Sequence, residues 1–392
     1  MLSFTKDKSN CTGCTACMAA CPVSCISMVE DSEGFKYPVS SDACIDCGLC
    51  ERVCPLQKTS IVANPPSSKA YAVLSRDASI WRRSASGGAF SEICNAWGDD
   101  KTIIVGATWD GLIVHHKCVE GVKNILDLCK SKYVASSPDN TFREIKDYLI
   151  NGRKVTFCGT PCQVAGLKSY LRKDYPNLLT IDLICHGVGS PSVFEDAMKS
   201  IGEQLDTVVT GYEFRAKRRV YETDHLQKII AADGIRYMVK DQYIQLFLSQ
   251  LCLRPCCGKN CIFRSDRRQG DLTIADFKGL TEVFPELIGT KRNYSSLIVN
   301  SVKGQDVVTL LSKNAIIKEA TIEDIKKFNP LFYRQTWFSE KRDQFFEDYK
   351  SNGVAAINRW TKPGIIYKPG IRQHIKNILP STILRFAYRI FK

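Results

Sequence analysis

The sequence predicts a chain of mixed class: α+β in a small N-terminal module and α/β in a larger body, closed by a basic helical tail. Three observations predict it. Cysteines crowd into two copies of one spacing between residues 11 and 55. From Lys69 onward, short apolar runs alternate with stretches at helical period, the pattern of a mixed, largely parallel sheet. From residue 331 the composition turns aromatic and basic.

The N-terminal module spans residues 1–60. Residues 11–22 read Cys-Thr-Gly-Cys-Thr-Ala-Cys-Met-Ala-Ala-Cys-Pro, and residues 44–55 read Cys-Ile-Asp-Cys-Gly-Leu-Cys-Glu-Arg-Val-Cys-Pro. Both carry the C-x2-C-x2-C-x3-C-P spacing of bacterial two-cluster ferredoxins, in which the fourth cysteine ligates the other cluster. One 4Fe-4S cluster is therefore assigned to Cys11, Cys14, Cys17 and Cys54. The second is assigned to Cys44, Cys47, Cys50 and Cys21. A zinc site has no use for the trailing Cys-Pro, and a disulfide framework needs an exported chain. Between the repeats, Ile26–Glu30 and Phe35–Val39 read as short strands around Asp31-Ser-Glu-Gly34. Cys25 is read as a small buried residue, not a ligand.

The chain has 392 residues, 19 cysteines, a net charge of +13 and 44% hydrophobic residues. That length holds two or three domains with sizeable cores. The first residues lack a signal peptide's apolar region and no run is long enough to span a membrane, so a cytoplasmic protein with reduced, metal-binding thiols is expected. The basic charge is not matched by any nucleic-acid-binding motif. Redox partner proteins, small-molecule electron carriers and an anionic membrane surface suit it better.

Residues 61–69, with Pro65, Pro66, Ser67 and Ser68, read as a linker. The body follows in two regions, 70–150 and 151–330. Ala70–Leu74 is expected as a strand, Ala89–Trp97 as a helix, and Thr102–Thr108 with Leu112–Cys118 as paired strands. A helix over Thr141–Leu149 precedes a strand at Lys154–Cys158, a helix over Gln163–Leu171, a strand at Leu178–Ile184 and a helix over Ser192–Leu205. Val208–Val239 reads as antiparallel strands and Asp241–Leu251 as a helix. Asp271–Asp276 and Ser296–Asn300 are strands, and a last helix begins at Asp306. Residues 331–392 form the tail. Its last thirty residues carry six cations and no acid. Leu384, Ala387, Tyr388 and Phe391 lie at helical period with Arg385, Arg389 and Lys392 off that stripe. This is the pattern of an amphipathic helix, lying on a membrane surface or docked on protein.

A pair of clusters alone makes a carrier, so the rest of the chain is expected to hold an acceptor site. Gly87 and Gly88, ahead of a helix, allow backbone N–H groups to approach a phosphate. Lys130-Ser-Lys132-Tyr133 adds cations and an aromatic face. The turns after Cys158 and Ile184 sit at carboxyl ends of parallel strands, where ligands bind in open α/β sheets. Cys252, Cys256, Cys257 and Cys261 supply further thiols. A third 4Fe-4S cluster is expected on Cys162, Cys185, Cys257 and Cys261, with Cys158 and Cys256 in reserve.

The runs Gly159-Thr-Pro-Cys-Gln-Val-Ala-Gly166, Ile184-Cys-His-Gly-Val188, Leu253-Arg-Pro-Cys-Cys257 with Cys261-Ile-Phe263, and Asp271-Leu-Thr-Ile-Ala-Asp-Phe277 resemble the beta-subunit family of coenzyme F-420 hydrogenases and dehydrogenases. The resemblance covers residues 70–330. It implies an iron–sulfur flavoprotein oxidoreductase that binds FAD and passes electrons between clusters and flavin. Ser86, Gly87, Gly88, Lys132, Tyr133, Gly159 and Thr160 are the flavin residues it points to. His186 is a proton donor, a flavin contact or a structural residue. Two departures stand out: Ala275-Asp276-Phe277-Lys278-Gly279 replaces Gly-Asp-Phe-Trp-Gly, and Cys257-x3-Cys261 replaces Cys-x2-Cys. Relatives that share the fused module and basic tail suggest a role in surface-polysaccharide biosynthesis. A non-catalytic electron-transfer subunit is the other alternative.

Overall fold

The computed structural model describes residues 2, 5–57, 69–217, 226–258, 261–333 and 339–368. The expected linker, Lys69 apart, and the expected amphipathic stretch 383–392 lie outside the described residues. Among the described residues no helix is long and apolar enough to cross a membrane.

In the N-terminal module, β1 (Ile26–Glu30) and β2 (Lys36–Ser40) pair antiparallel. Asp31 makes the turn, accepting from the amides of Glu33 at 3.0 Å and Phe35 at 2.9 Å, as an aspartate does where it replaces a backbone acceptor. Helices α1 (Ala16–Ala20) and α2 (Leu49–Arg52) each start inside a cysteine repeat.

The body opens with β3 (Ala70–Ser75), α3 (Ala78–Arg83) and α4 (Ala89–Trp97). Then β4 (Ile103–Asp110) returns as β5 (Ile113–Glu120). The turn lies at Gly111, where φ is +58°, so the strands run further than expected. Next come α5 (Thr141–Ile150), β6 (Val155–Cys158), α6 (Pro161–Leu171), β7 (Leu178–Leu183) and α7 (Pro191–Leu205). They are followed by β8 (Val209–Ala216), β9 (Leu226–Ala231), β10 (Gly234–Val239) and α8 (Gln242–Leu248). The chain then forms β11 (Leu272–Asp276), α9 (Leu280–Val283), β12 (Ser295–Val299), α10 (Val302–Leu311), β13 (Ala315–Ala320) and α11 (Ile322–Phe328). Last are α12 (Arg342–Asn352), α13 (Val354–Trp360) and β14 (Ile365–Ile366).

Eight strands form one sheet in the order β13-β3-β12-β11-β7-β6-β4-β5. Its centre, β11-β7-β6-β4, is parallel, and both flanks are antiparallel. The central strands β6 and β7 are buried almost throughout, as strands covered on both faces must be. A second sheet, β14-β10-β9-β8, is antiparallel.

Residues 342–366 are not a tail but part of the body. Phe345, Phe346, Tyr349, Ala356 and Ile357 are buried in the core formed by α7 and the second sheet. β14 extends that sheet by pairing with β10. Their aromatic side chains bury too much apolar area to remain outside a core.

The module is docked on the body rather than tethered to it. Cys14, Ala16, Ala19 and Val53 share a core with Phe142, Ile145, Val164 and Leu167. Arg143 of α5 donates to the carbonyls of Ala19 at 2.9 Å, Met18 at 3.0 Å and Cys21 at 3.1 Å. A five-residue helix leaves its final carbonyls without intrahelical partners, and this guanidinium supplies them. On the other side Ser190 caps α7 and donates to Glu33 O at 2.6 Å, while Arg342 pairs with the Glu33 carboxylate at 2.5 Å.

Candidate functional site

The cysteine repeats share a local backbone. Gly13 and Thr15 in the first, and Asp46 and Gly48 in the second, all have φ between +49° and +71°. Alternating left-handed residues curl successive N–H groups around a concavity, the device that holds anions such as iron–sulfur clusters. Cys11, Cys14, Cys17 and Cys54 come together despite the distance between the repeats. Burial, then the neighbouring Cys54 and Cys11, push the Cys14 thiol up to about 12. Cys17 is raised by burial and by Cys14, Cys11 and Cys54. Neighbouring thiols that oppose the ionisation of Cys14 and Cys17 fit a site in which iron supplies the positive charge. Cys21, Cys44, Cys47 and Cys50 line a shallow cavity of their own. Cys25 is buried as expected, but on that cavity's wall, with its Sγ 3.4 Å from Cys21 Sγ.

A second gathering of thiols lies in the body. Cys162 stands at the start of α6, Cys185 two residues past β7, and Cys257 and Cys261 in the loop beyond α8. Burial raises Cys162, and Cys185, Cys257 and Cys261 raise it further. Burial and Cys257 push Cys185 up to about 12. Cys257 is the exception, drawn down to about 7 by a hydrogen bond from the Cys256 thiol, with the Val188 amide, Arg254 and Arg264 contributing. These are the four expected ligands of a third cluster. Among the described residues, no three His, Cys, Asp or Glu side chains close on a point as one bare ion requires. A cube bound at its corners needs its thiolates further apart.

The reserve ligands behave differently. Cys256 is buried and donates to Cys257. Cys158 turns away from the ring: after burial, its neighbours are Lys132, Asp182 and Cys129. Cys158 still belongs to β6 and Cys162 already to α6, and the change of element between them sends their side chains to different places.

The expected flavin residues are placed with their donors already engaged. Ser86 donates to Tyr294 O at 2.8 Å and the Gly87 amide to Ser295 Oγ at 2.9 Å. Gly87 is needed for close packing: a Cβ there would lie 2.1 Å from Val73 O. Gly88, at φ +102°, starts α4. Lys132 Nζ donates to the carbonyls of Cys129 at 2.8 Å and Asp127 at 3.0 Å. The Gly159 amide donates to Ile181 O at 3.1 Å, and that of Thr160 to Gln163 Oε1 at 2.9 Å. The Tyr133 ring stacks on Phe247 with centroids 5.0 Å apart.

Beside this turn are two cations that sequence reasoning missed. Arg215, buried at the end of β8, makes a two-pronged ion pair with Asp276 at 2.8 and 3.2 Å. It also donates to Tyr133 Oη at 3.1 Å and to Ala85 O at 3.2 Å. Lys217 donates to Trp81 O at 2.8 Å and Ser86 O at 2.6 Å, with its Nζ 4.0 Å from the centre of the Trp81 ring. Burial, then Arg215, push its ammonium down to about 6. An anion bound here would restore that charge. The signal in the sequence was the alternation Arg215-Ala-Lys217 at a strand end, which puts both cations on one face. Asp276→Asn leaves Arg215 buried without its carboxylate; the expected cost is about 3 kcal/mol, read as a lower thermal midpoint.

His186 lies between the two regions. Its ring is 4.9 Å from Phe247, and its Nε2 is buried without a hydrogen-bond partner among the described residues. Burial, then Arg264, hold it down at about 4, so near neutral pH it is an uncharged imidazole, not an imidazolium acid.

Residues 152–325 match the family model for the C-terminal part of the coenzyme F420 hydrogenase/dehydrogenase beta subunit. Residues 10–58 match the 4Fe-4S dicluster domain. An uncharacterized protein of Methanocaldococcus jannaschii is 23% identical over 339 residues, covering 76% of this chain and 86% of its own. A 7Fe ferredoxin of Hydrogenibacillus schlegelii is 46% identical over 52 residues, 13% of this chain and 53% of its own. A chain of the F420-reducing NiFe hydrogenase complex from Methanosarcina barkeri aligns with a TM-score of 0.44 at 15% identity, covering 78% of this chain and 98% of its own. The protein is thus a 4Fe-4S redox protein in which a dicluster ferredoxin region precedes a region that matches the model for the C-terminal part of the coenzyme F420 hydrogenase/dehydrogenase beta subunit.

Proposed function

We propose that the protein is an iron–sulfur flavoprotein oxidoreductase that passes electrons between 4Fe-4S clusters and FAD, exchanging them with a redox partner at one end and a small-molecule acceptor at the other. The observation that carries this reading is the meeting of Cys162, Cys185, Cys257 and Cys261 from three separate segments, on the side of the body where the ferredoxin module docks. An isolated carrier has no need of such a ring.

When bound, the clusters supply single-electron transfer and the flavin supplies hydride chemistry. The chain's own residues do the rest. Arg215 and Lys217 both donate to the Ala85–Ser86 backbone, where a bound pyrophosphate would draw Lys217 to its charged form. Tyr133, backed by the buried Phe247 ring, stands next to them through its hydroxyl on Arg215. Asp276 holds Arg215 in place, and neutral His186 offers a ring N–H or a lone pair.

The test is an anaerobic inventory of iron, sulfide and flavin. The expected result is about 12 irons, four for each cubane, and one FAD per chain. About eight irons with flavin present removes the third cluster. Absence of flavin removes the flavoprotein reading and leaves an electron-transfer subunit.

A further inference from the structure

We propose that the cluster of Cys11, Cys14, Cys17 and Cys54 is the one that exchanges electrons with the body, and that Arg254 holds it there and sets its potential. The transfer half of this proposal rests on the thiol ring of Cys162, Cys185, Cys257 and Cys261 being a cluster site; the tuning half does not.

The two ferredoxin sites are not equivalent. Cys44 and Cys47 are exposed, whereas Cys11 and Cys14 are each 8% exposed. Cys14 is pressed against α6, where a Cβ on Gly166 would lie 2.8 Å from its Sγ. Gly166 is one helical turn from Cys162, so one helix touches a ligand of the first cluster and carries a ligand of the ring. The second site faces solvent, where a donor protein has access.

Arg254 spans the remaining gap. Its backbone belongs to the ring: its amide donates to Val188 O at 3.0 Å, and its carbonyl accepts from the Cys257 amide at 2.9 Å. Its side chain belongs to the module. Nε donates to Cys11 O at 2.9 Å, and Nη2 lies 2.9 Å from Lys36 O and 3.7 Å from Cys11 Sγ. The guanidinium sits over the Tyr37 ring, 4.3 Å from its centre. Arg254 is only 3% exposed. These partners are carbonyls, a thiol and an aromatic face, so its charge is not neutralised by a carboxylate among them.

A buried cation beside a ligating sulfur stabilises an added electron, and an N–H directed at that sulfur draws electron density from it. Both raise the potential of the first cluster. No bond forms or breaks in the transfer: one cluster loses one electron and its neighbour gains it. A donor would have access at the exposed second site, and Arg254 would favour the added electron at the first.

The experiment is an EPR-monitored redox titration of the anaerobically prepared full-length chain, with dithionite as reductant. Cys14→Ser and Cys47→Ser assign the two ferredoxin signals. In Arg254→Gln the first cluster's midpoint is expected to move negative while the second stays in place. Arg254→Lys keeps the charge and recovers most of the shift. Arg143→Gln, which loosens the dock at α1, leaves the first midpoint where it was. An unmoved midpoint in Arg254→Gln, an equal shift of both clusters, or the same shift in Arg143→Gln overturns the proposal. Loss of the first cluster's iron from Arg254→Gln but not from Arg254→Lys supports it; loss from both makes Arg254 a packing residue and overturns it. About eight irons per chain with the shift intact would remove the ring cluster and the transfer half, and leave the tuning role standing.

Discussion

Cys162→Ala is expected to lower the iron content of the anaerobically purified chain by about four atoms, one cubane, while both ferredoxin signals persist in EPR. Cys162 is held at the start of a helix that packs against the sheet on one side and the module on the other, so it has little freedom to be replaced. Of the two reserves, Cys158 faces Lys132, Asp182 and Cys129. Cys158→Ala is therefore expected to leave the iron count unchanged. In Cys162→Ala the ferredoxin clusters remain reducible by dithionite, but flavin reduction through them stops. Stopped-flow reduction of the variant distinguishes the two events. Retained iron and retained flavin reduction would exclude Cys162 as a ligand.

Gly166→Val is expected to strip the first ferredoxin cluster and undock the module. The new Cβ would stand 2.8 Å from Cys14 Sγ and 2.9 Å from Cys14 Cβ, closer than carbon and sulfur tolerate. Neither neighbour yields easily, since Cys14 is fixed by its loop and α6 is buried along most of its length. Overpacking of this kind costs about 1–3 kcal/mol, and a β-branched residue in a helix adds strain at χ1. The iron count is expected to fall by about four, and residues 5–57 become open to protease. Gly166→Ala, with a single methyl, is expected to be milder in both respects. Full iron content and unchanged proteolysis in Gly166→Val would show that the module sits elsewhere.

Much of the iron–sulfur chemistry is legible because it is written in local spacing. The two repeats bring their cysteines to hand through loop geometry alone. The crossed assignment of Cys21 and Cys54 follows from one extra helical turn, and Cys54 lies beside Cys11, Cys14 and Cys17. The turns that carry Cys162 and Cys185 were legible for a related reason: turns at the carboxyl ends of parallel strands point to one edge of a sheet. Shorter elements escaped. Helix α3 has six residues and α11 seven, too few to display a period against background. Aromatic residues between 342 and 360 were visible, but composition does not say whether such a segment covers a core or leaves it.

The sequence by itself determined the two ferredoxin-type repeats and where most strands end, because both depend on neighbours a few positions apart. It ranked Cys162 ahead of Cys158, four residues apart at one strand end, without the reason for the choice. The change from strand to helix sends one to Lys132 and the other to the ring. Nor could it find Arg215, 61 residues from its partner Asp276, or Arg254, 243 residues from Cys11. A guanidinium is too costly to bury unless carbonyls, carboxylates or aromatic faces surround it. Those partners come from distant segments, so only the tertiary structure decided which arginines are structural wiring and which face water.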